Sequence, residues 1–397
     1  MRWIALASSQ GALRWGALSW GALSWGLLLL IGTAGGHPGD STEPPPEKKP
    51  DLLAIAFDAG HQFGLTVKAT AKRLTFSTDG GTNNTRIKVN GVDIDMRSLN
   101  VMPGVEGPRG RPELVADAKY TTYRSKWTFT KLQLSFTQTV AIHPNESTGE
   151  MDTAVVTYTF TNDSKAKIKV GLRTMIDTLI GNNDGAPFII PNRPGLCDTF
   201  AVFSKAADIP AYLEVLENSD ITNPGTVVKM GLINSSKYGF FEQPSSVILS
   251  GWPGTGAAWS YQITPIGVDS AVGLYWEEKL LDPGKSREMG FTYGLTQIKT
   301  VADRLALSAD VAVAVNRRFS ITAFLGRKAQ GATVTIEVPA GVRLLPGTPA
   351  QQRVVIPPNR SFTQVSWTLV GSEPGAKTFR VRLSDGTQQT HEITLFR

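Results

Sequence analysis

Two-residue alternation of apolar and polar side chains runs through most of this chain, and helical spacing is nearly absent. Leu132, Leu134, Phe136, Val140 and Ile142 share one face of a strand, Val156, Tyr158 and Phe160 one face of the next. Ile168, Val170 and Leu172 continue the period. That period turns successive side chains to opposite faces of a sheet, one for the core and one for water. Gly, Pro, Asn and Asp punctuate the runs. Asn162-Asp163-Ser164 marks a turn, and Asn90-Gly91 between two short apolar runs predicts a two-residue hairpin. Further strands fit around residues 199–204, 212–216, 227–233, 247–249, 271–277 and 287–295. Roughly a dozen strands over residues 51–297 predict a large antiparallel β-sandwich, of ordinary or supersandwich size.

Residues 298–308 change character. Val301, Leu305 and Leu307 beside Asp303 and Arg304 predict a linker or a single helical turn. Strands then return over residues 309–397, at a spacing of about 8–12 residues, as in an immunoglobulin-like β-sandwich. Trp367 is its expected core aromatic. The expected fold class is all-β throughout.

The N-terminal end breaks the alternation. Arg2 and Arg14 supply positive charge, an apolar stretch runs from Trp15 to Ile31, and Ala34-Gly35-Gly36 offers small residues for a signal peptidase. Residues 1–36 therefore read as a secretory signal peptide, either cleaved or retained as an anchor. Residues 37–50, with Pro44-Pro45-Pro46, read as a Pro-rich disordered tail. No later stretch is apolar and long enough to span a bilayer. The expected location is secreted, periplasmic or cell-surface.

Without the leader, 38 basic and 34 acidic residues leave a formal charge of +4. The charge is mild and unclustered, which argues against nucleic acid as a partner. Cys197 is the only cysteine, so an exported chain of this kind has no internal disulfide, a pattern that favours a bacterial source.

The densest polar run is Asp177 to Phe188. Asp177, Asn182, Asn183 and Asp184 are oxygen donors around a glycine-flanked turn, the donor type Ca²⁺ requires. The same residues also suit a substrate-contacting loop or, as the simpler reading, a plain turn stabilised by Asn and Asp side chains. Glu277 and Glu278 follow Tyr275-Trp276, and either one with Asp177 or Asp184 is a candidate carboxylate pair for glycoside chemistry. His61, His143 and His391 are widely separated, which disfavours zinc or a Ser-His-Asp triad. Trp252, Trp259 and Tyr261 lie in and beside a Gly/Pro-rich stretch and are candidates for an exposed sugar-stacking surface.

Tyr158-Thr159-Phe160-Thr161-Asn162 followed by Val170-Gly171-Leu172-Arg173 resembles the central strand pair of galactose-mutarotase-like supersandwich domains. The Asp177-to-Gly185 run also resembles uncharacterised secreted bacterial proteins. The mutarotase resemblance implies a carbohydrate-associated fold. That family uses a histidine soon after the strand pair and a late glutamate; this chain has no histidine between His143 and His391. Val338 to Val342, Val365-Ser366-Trp367 and Pro374-Gly375 resemble CARDB-type immunoglobulin-like modules, which implies an accessory role. The leading expectation is a non-catalytic envelope or extracellular protein, binding or structural, with polysaccharide or envelope proteins as partners. The alternative is a carbohydrate-active enzyme built on the carboxylates above.

Overall fold

The computed structural model describes residues 49–397 apart from 117, 147, 192, 194, 222, 234–237, 302–303, 310–311 and 359–361. The leader and nearly all of the Pro-rich tail lie outside the described residues.

Alternation becomes sheet as expected. A six-stranded sheet runs in the spatial order Ala201–Phe203, Ser246–Ser250, Ser270–Leu281, Ile168–Thr178, Asn84–Val89 and Val92–Asp95. A ten-stranded sheet centres on Ser286–Thr296, Thr153–Asn162, Leu134–His143 and Thr122–Phe129. All pairings within these two sheets are antiparallel. Asn90 and Gly91 both have positive φ, 50° and 84°, so the predicted hairpin forms with the turn type that Asn-Gly favours.

The two sheets face each other across one apolar core. Val156, Tyr158, Phe160, Phe136 and Trp127 from the larger sheet, and Leu172, Leu274 and Trp276 from the smaller, are all fully buried within it. Leu132 instead sits in the turn before its strand and is 36% exposed. The one polar atom of Tyr158 is satisfied between the sheets, with its hydroxyl 3.4 Å from Thr85 Oγ1 and 3.3 Å from Thr174 Oγ1.

Two five-stranded sheets follow. One runs Lys299–Val301, Leu305–Ala309, Arg318–Gly326, Phe362–Gly371 and Val342–Leu344. The other runs Ala312–Ala314, Gln388–Phe396, Gly375–Leu383, Thr333–Glu337 and Gln351–Arg353, its first pair parallel. Trp367 and Phe379 are fully buried in their shared core. The Trp367 indole nitrogen donates to the Pro349 carbonyl at 3.1 Å.

Within 298–308 the described residues form strands where a linker or a helical turn is expected. They contribute Lys299–Val301 and Leu305–Ala309 to the first of these sheets. Every residue of Leu305–Ala309 is buried, because both faces of the strand are covered. Leu305 and Leu307 point into the second core, while Ala306 joins Phe324 and Phe362 in a third apolar cluster with Ile189, Leu216 and Val227 of the larger sheet and its flanks. Ser308 Oγ donates to Glu214 Oε1 at 2.6 Å, and Gln364 Nε2 to the Ile190 carbonyl at 2.8 Å. A flanking alternation of small and large apolar residues thus marks a two-sided interface strand.

Candidate metal centre

Three segments meet at one end of the six-stranded sheet. Ile168–Thr178 carries Asp177 as its penultimate residue, paired with Ala271 at the start of Ser270–Leu281. The neighbouring pair, Thr178 and Ser270, links the two strands by hydroxyls 2.6 Å apart. After Thr178 the chain folds into a tight turn in which Ile180 and Asn183 exchange backbone hydrogen bonds, with Gly181 at φ 63°. Asp184 follows and is held by Ser270 Oγ, which donates to its carbonyl at 2.8 Å. A Cβ on Gly185 would lie 2.4 Å from the Gly267 carbonyl oxygen, so only glycine lets the two loops approach so closely.

This arrangement brings together Asp177, Asp184 and Asp269, with one carboxylate oxygen from each within 4.8 Å of the others. Asp177 is 1% exposed, and the others are partly buried. The Oδ1 atoms of all three lack a hydrogen-bond partner. Burial pushes the Asp177 carboxyl up to about 7, opposed by the Thr82 hydroxyl and reinforced by Asp269 and Asp184. Asp269 is pushed up to about 6 by burial and by Asp184. Asp184 is also raised by burial, with Arg73 pulling the other way. Three converging carboxylates cannot all ionise without compensation. An all-oxygen donor set with no thiolate or imidazole suits a hard cation such as Ca²⁺ and not zinc.

Of the residues expected at a calcium site, Asp177 and Asp184 meet. Asn182 is exposed, and Asn183 is turned away, its amide donating to the Glu217 carbonyl at 2.9 Å. Asp269 is the partner that local sequence does not reveal. It lies 92 positions beyond Asp177 and joins it only through strand pairing.

Glu277 and Glu278 do not join the cluster. They stand on the same strand as Ala271, so Glu277 lies about 20 Å along the sheet from Asp177 at about 3.3 Å per residue. Glu278 accepts a hydrogen bond from the Gly91 backbone at 2.7 Å. That span exceeds the carboxylate separations of either glycosidase mechanism.

The three aromatics form no open platform. Trp259 is 7% exposed, its ring covered by the Lys88 ammonium at 4.2 Å and edge-on to Tyr275. Tyr261 packs beneath the Arg173 guanidinium at 5.7 Å, and Trp252 is half-buried with its indole bonded to the Thr82 carbonyl. The reason is the polar outer face of the six-stranded sheet. Arg173 is fully buried and donates to the Ala257 and Ala258 carbonyls, which straps this Gly/Pro-rich segment down onto that face.

No family model matches the chain, and no curated protein matches it. Among solved structures it is similar to a polysaccharide lyase at 12% identity and TM-score 0.34, over 87% of this chain and 46% of that one. The chain thus spans about half the length of the lyase. It is also similar to a galactose mutarotase related enzyme from Lactobacillus acidophilus, at 9% identity and TM-score 0.38, over 63% of this chain and 96% of that one. A galactose mutarotase-like protein from Lactobacillus casei ATCC 334 matches at 9% identity and TM-score 0.35, over 62% and 100%.

Proposed function

We propose that this chain is an exported, non-catalytic binding or structural protein of the cell envelope or extracellular space, with a divalent cation, Ca²⁺ by its donor set, at Asp177, Asp184 and Asp269. One observation carries the cation: a carboxylate oxygen of Asp177, on a residue 1% exposed, has no hydrogen-bond partner and sits with two further carboxylates. A buried anion left in that state is costly unless a cation or a proton neutralises it. The ion would tie the turn after Thr178 to the loop before Ser270 and so fix one end of the sandwich. Carbohydrate is the ligand class proposed for the chain, on the resemblance of residues 155–191 to mutarotase-like domains.

An enzyme reading draws on the same carboxylates, because a carboxyl pushed up to about 7 has the acidity of a general acid. The two readings separate in a thermal melt of the full chain. Excess Ca²⁺ against chelator raises the melting temperature if the cluster holds the ion, and Asp184→Ala abolishes the rise. An unchanged melt, with glycan-cleaving activity lost in Asp177→Asn, replaces the cation reading with the enzyme one.

A further inference from the structure

A cleft of about 550 Å³ opens between the two halves of the molecule. Arg193, Asp208 and Gln243 line it from the first, and Asn316, Arg317 and Arg318 from the second. The second group is presented by a tight turn: Asn316 has φ 64°, Arg317 N–H donates to the Ala314 carbonyl at 3.1 Å, and Asn316 N–H donates to the Gly371 carbonyl at 2.7 Å. Several arginines elsewhere pair with acids, while Arg173 and Arg327 bond backbone carbonyls. Arg86 pairs with Asp93, Arg97 with Asp95, Arg287 with Glu242, Arg304 with Asp385 and Arg380 with Glu337. Among the described residues none of the three cleft arginines has such a partner. Arg193 lies over the Phe203 ring at 4.5 Å, and Arg317 and Arg318 are exposed. Among the described residues lining the cleft, Asp208 is the one acid.

We propose that this cleft binds an acidic oligosaccharide, a carboxylate-bearing sugar chain, through Arg193, Arg317 and Arg318. Guanidinium forks match carboxylates in a bidentate way that a neutral ligand does not exploit. The Asn316 and Gln243 amides offer donors and acceptors for ring hydroxyls. The volume falls within the range of small-ligand sites, which favour junctions between compact units. Nucleic acid is disfavoured because the cleft has no free ring for base stacking: Arg193 covers Phe203, and Phe319 is 1% exposed. The proposal rests on the reading of the chain as a carbohydrate-binding protein.

The test is calorimetric titration of the full chain with tetragalacturonate, with a neutral tetrasaccharide and a short polyglutamate as comparators. The expected result is binding of tetragalacturonate alone, weakened at least tenfold in Arg317→Ala/Arg318→Ala, at an unchanged melting temperature. Arg124→Ala, at an exposed arginine outside the cleft lining, leaves that binding intact. Glycan binding that is undiminished in the double variant, or equal for the neutral sugar or polyglutamate, overturns the cleft but not the carbohydrate reading. Binding of no glycan at all overturns both.

Discussion

The Ser270 hydroxyl donates to the Asp184 carbonyl at 2.8 Å while also lying 2.6 Å from the Thr178 hydroxyl. One small side chain therefore ties the turn that carries Asp184 to the strand that carries Asp177, one residue after Asp269. Ser270→Ala removes that tie. The expected cost is about 1 kcal/mol in stability, with weaker Ca²⁺ affinity, read by denaturant unfolding with and without the ion. Unchanged affinity in this variant would show that the loops are held by other contacts.

The cluster makes stability depend on pH with a definite sign. Without a bound cation, burial pushes the Asp177 carboxyl up to about 7 in the folded chain, against 3.8 as the ordinary value. A raised folded-state pKa contributes stability that is present below the unfolded value and is lost as pH rises through the folded one. The chelated protein is thus expected to lose on the order of 2–4 kcal/mol between pH 4 and pH 7. Asp177→Asn flattens that loss, and so does excess Ca²⁺. A chelated wild type equally stable at both pH values would mean that Asp177 ionises freely.

His143 acts in the opposite direction. Burial, with the nearby Lys119 charge, lowers it to about 4 from 6.5, and its ring packs against Tyr120 at 4.2 Å. A depressed folded-state value on a base gives stability that is present above the unfolded pKa and is lost as pH falls through the folded one. His143→Phe is expected to lessen the loss of melting temperature between pH 6.5 and pH 4. Proton resonance titration of the ring checks the cause directly: an ordinary midpoint contradicts it.

The junction between the halves is cohesive. Phe324 is 2% exposed and packs edge-on to Phe362 against Ile189 and Leu216. Phe324→Ala should cost about 3–5 kcal/mol and split a single calorimetric transition into two. One undivided transition in the variant would show that the halves unfold together without this contact.

Alternation at Val156, Tyr158 and Phe160, and the Asn90-Gly91 turn, were readable because they are local: period two and positive φ leave their mark within a few residues. Asp269 was not readable, because its closeness to Asp177 depends on which distant strands pair. Residues 305–308 fall within the expected linker, 298–308, because a strand buried on both sides lacks the alternating polar face. Trp259 looked exposed because Gly and Pro surround it, yet the polar face carrying Arg173 and Lys88 draws the segment down. Glycine-rich composition signals backbone freedom, not solvent.

Glu277 and Glu278 provide an internal control. At about 20 Å from Asp177 along the strand, neither reaches the cluster. Glu277→Gln and Glu278→Gln should each leave Ca²⁺ affinity unchanged in a fluorescence titration. A loss in either would require a different strand register.

The most direct measurement is calorimetric titration of Ca²⁺ into the full chain at pH 7.5, beside Asp177→Asn and Asp269→Asn. One ion bound per chain in the wild type, and none in either variant, is the expected result. Heats indistinguishable among the three proteins would contradict a cation at Asp177, Asp184 and Asp269.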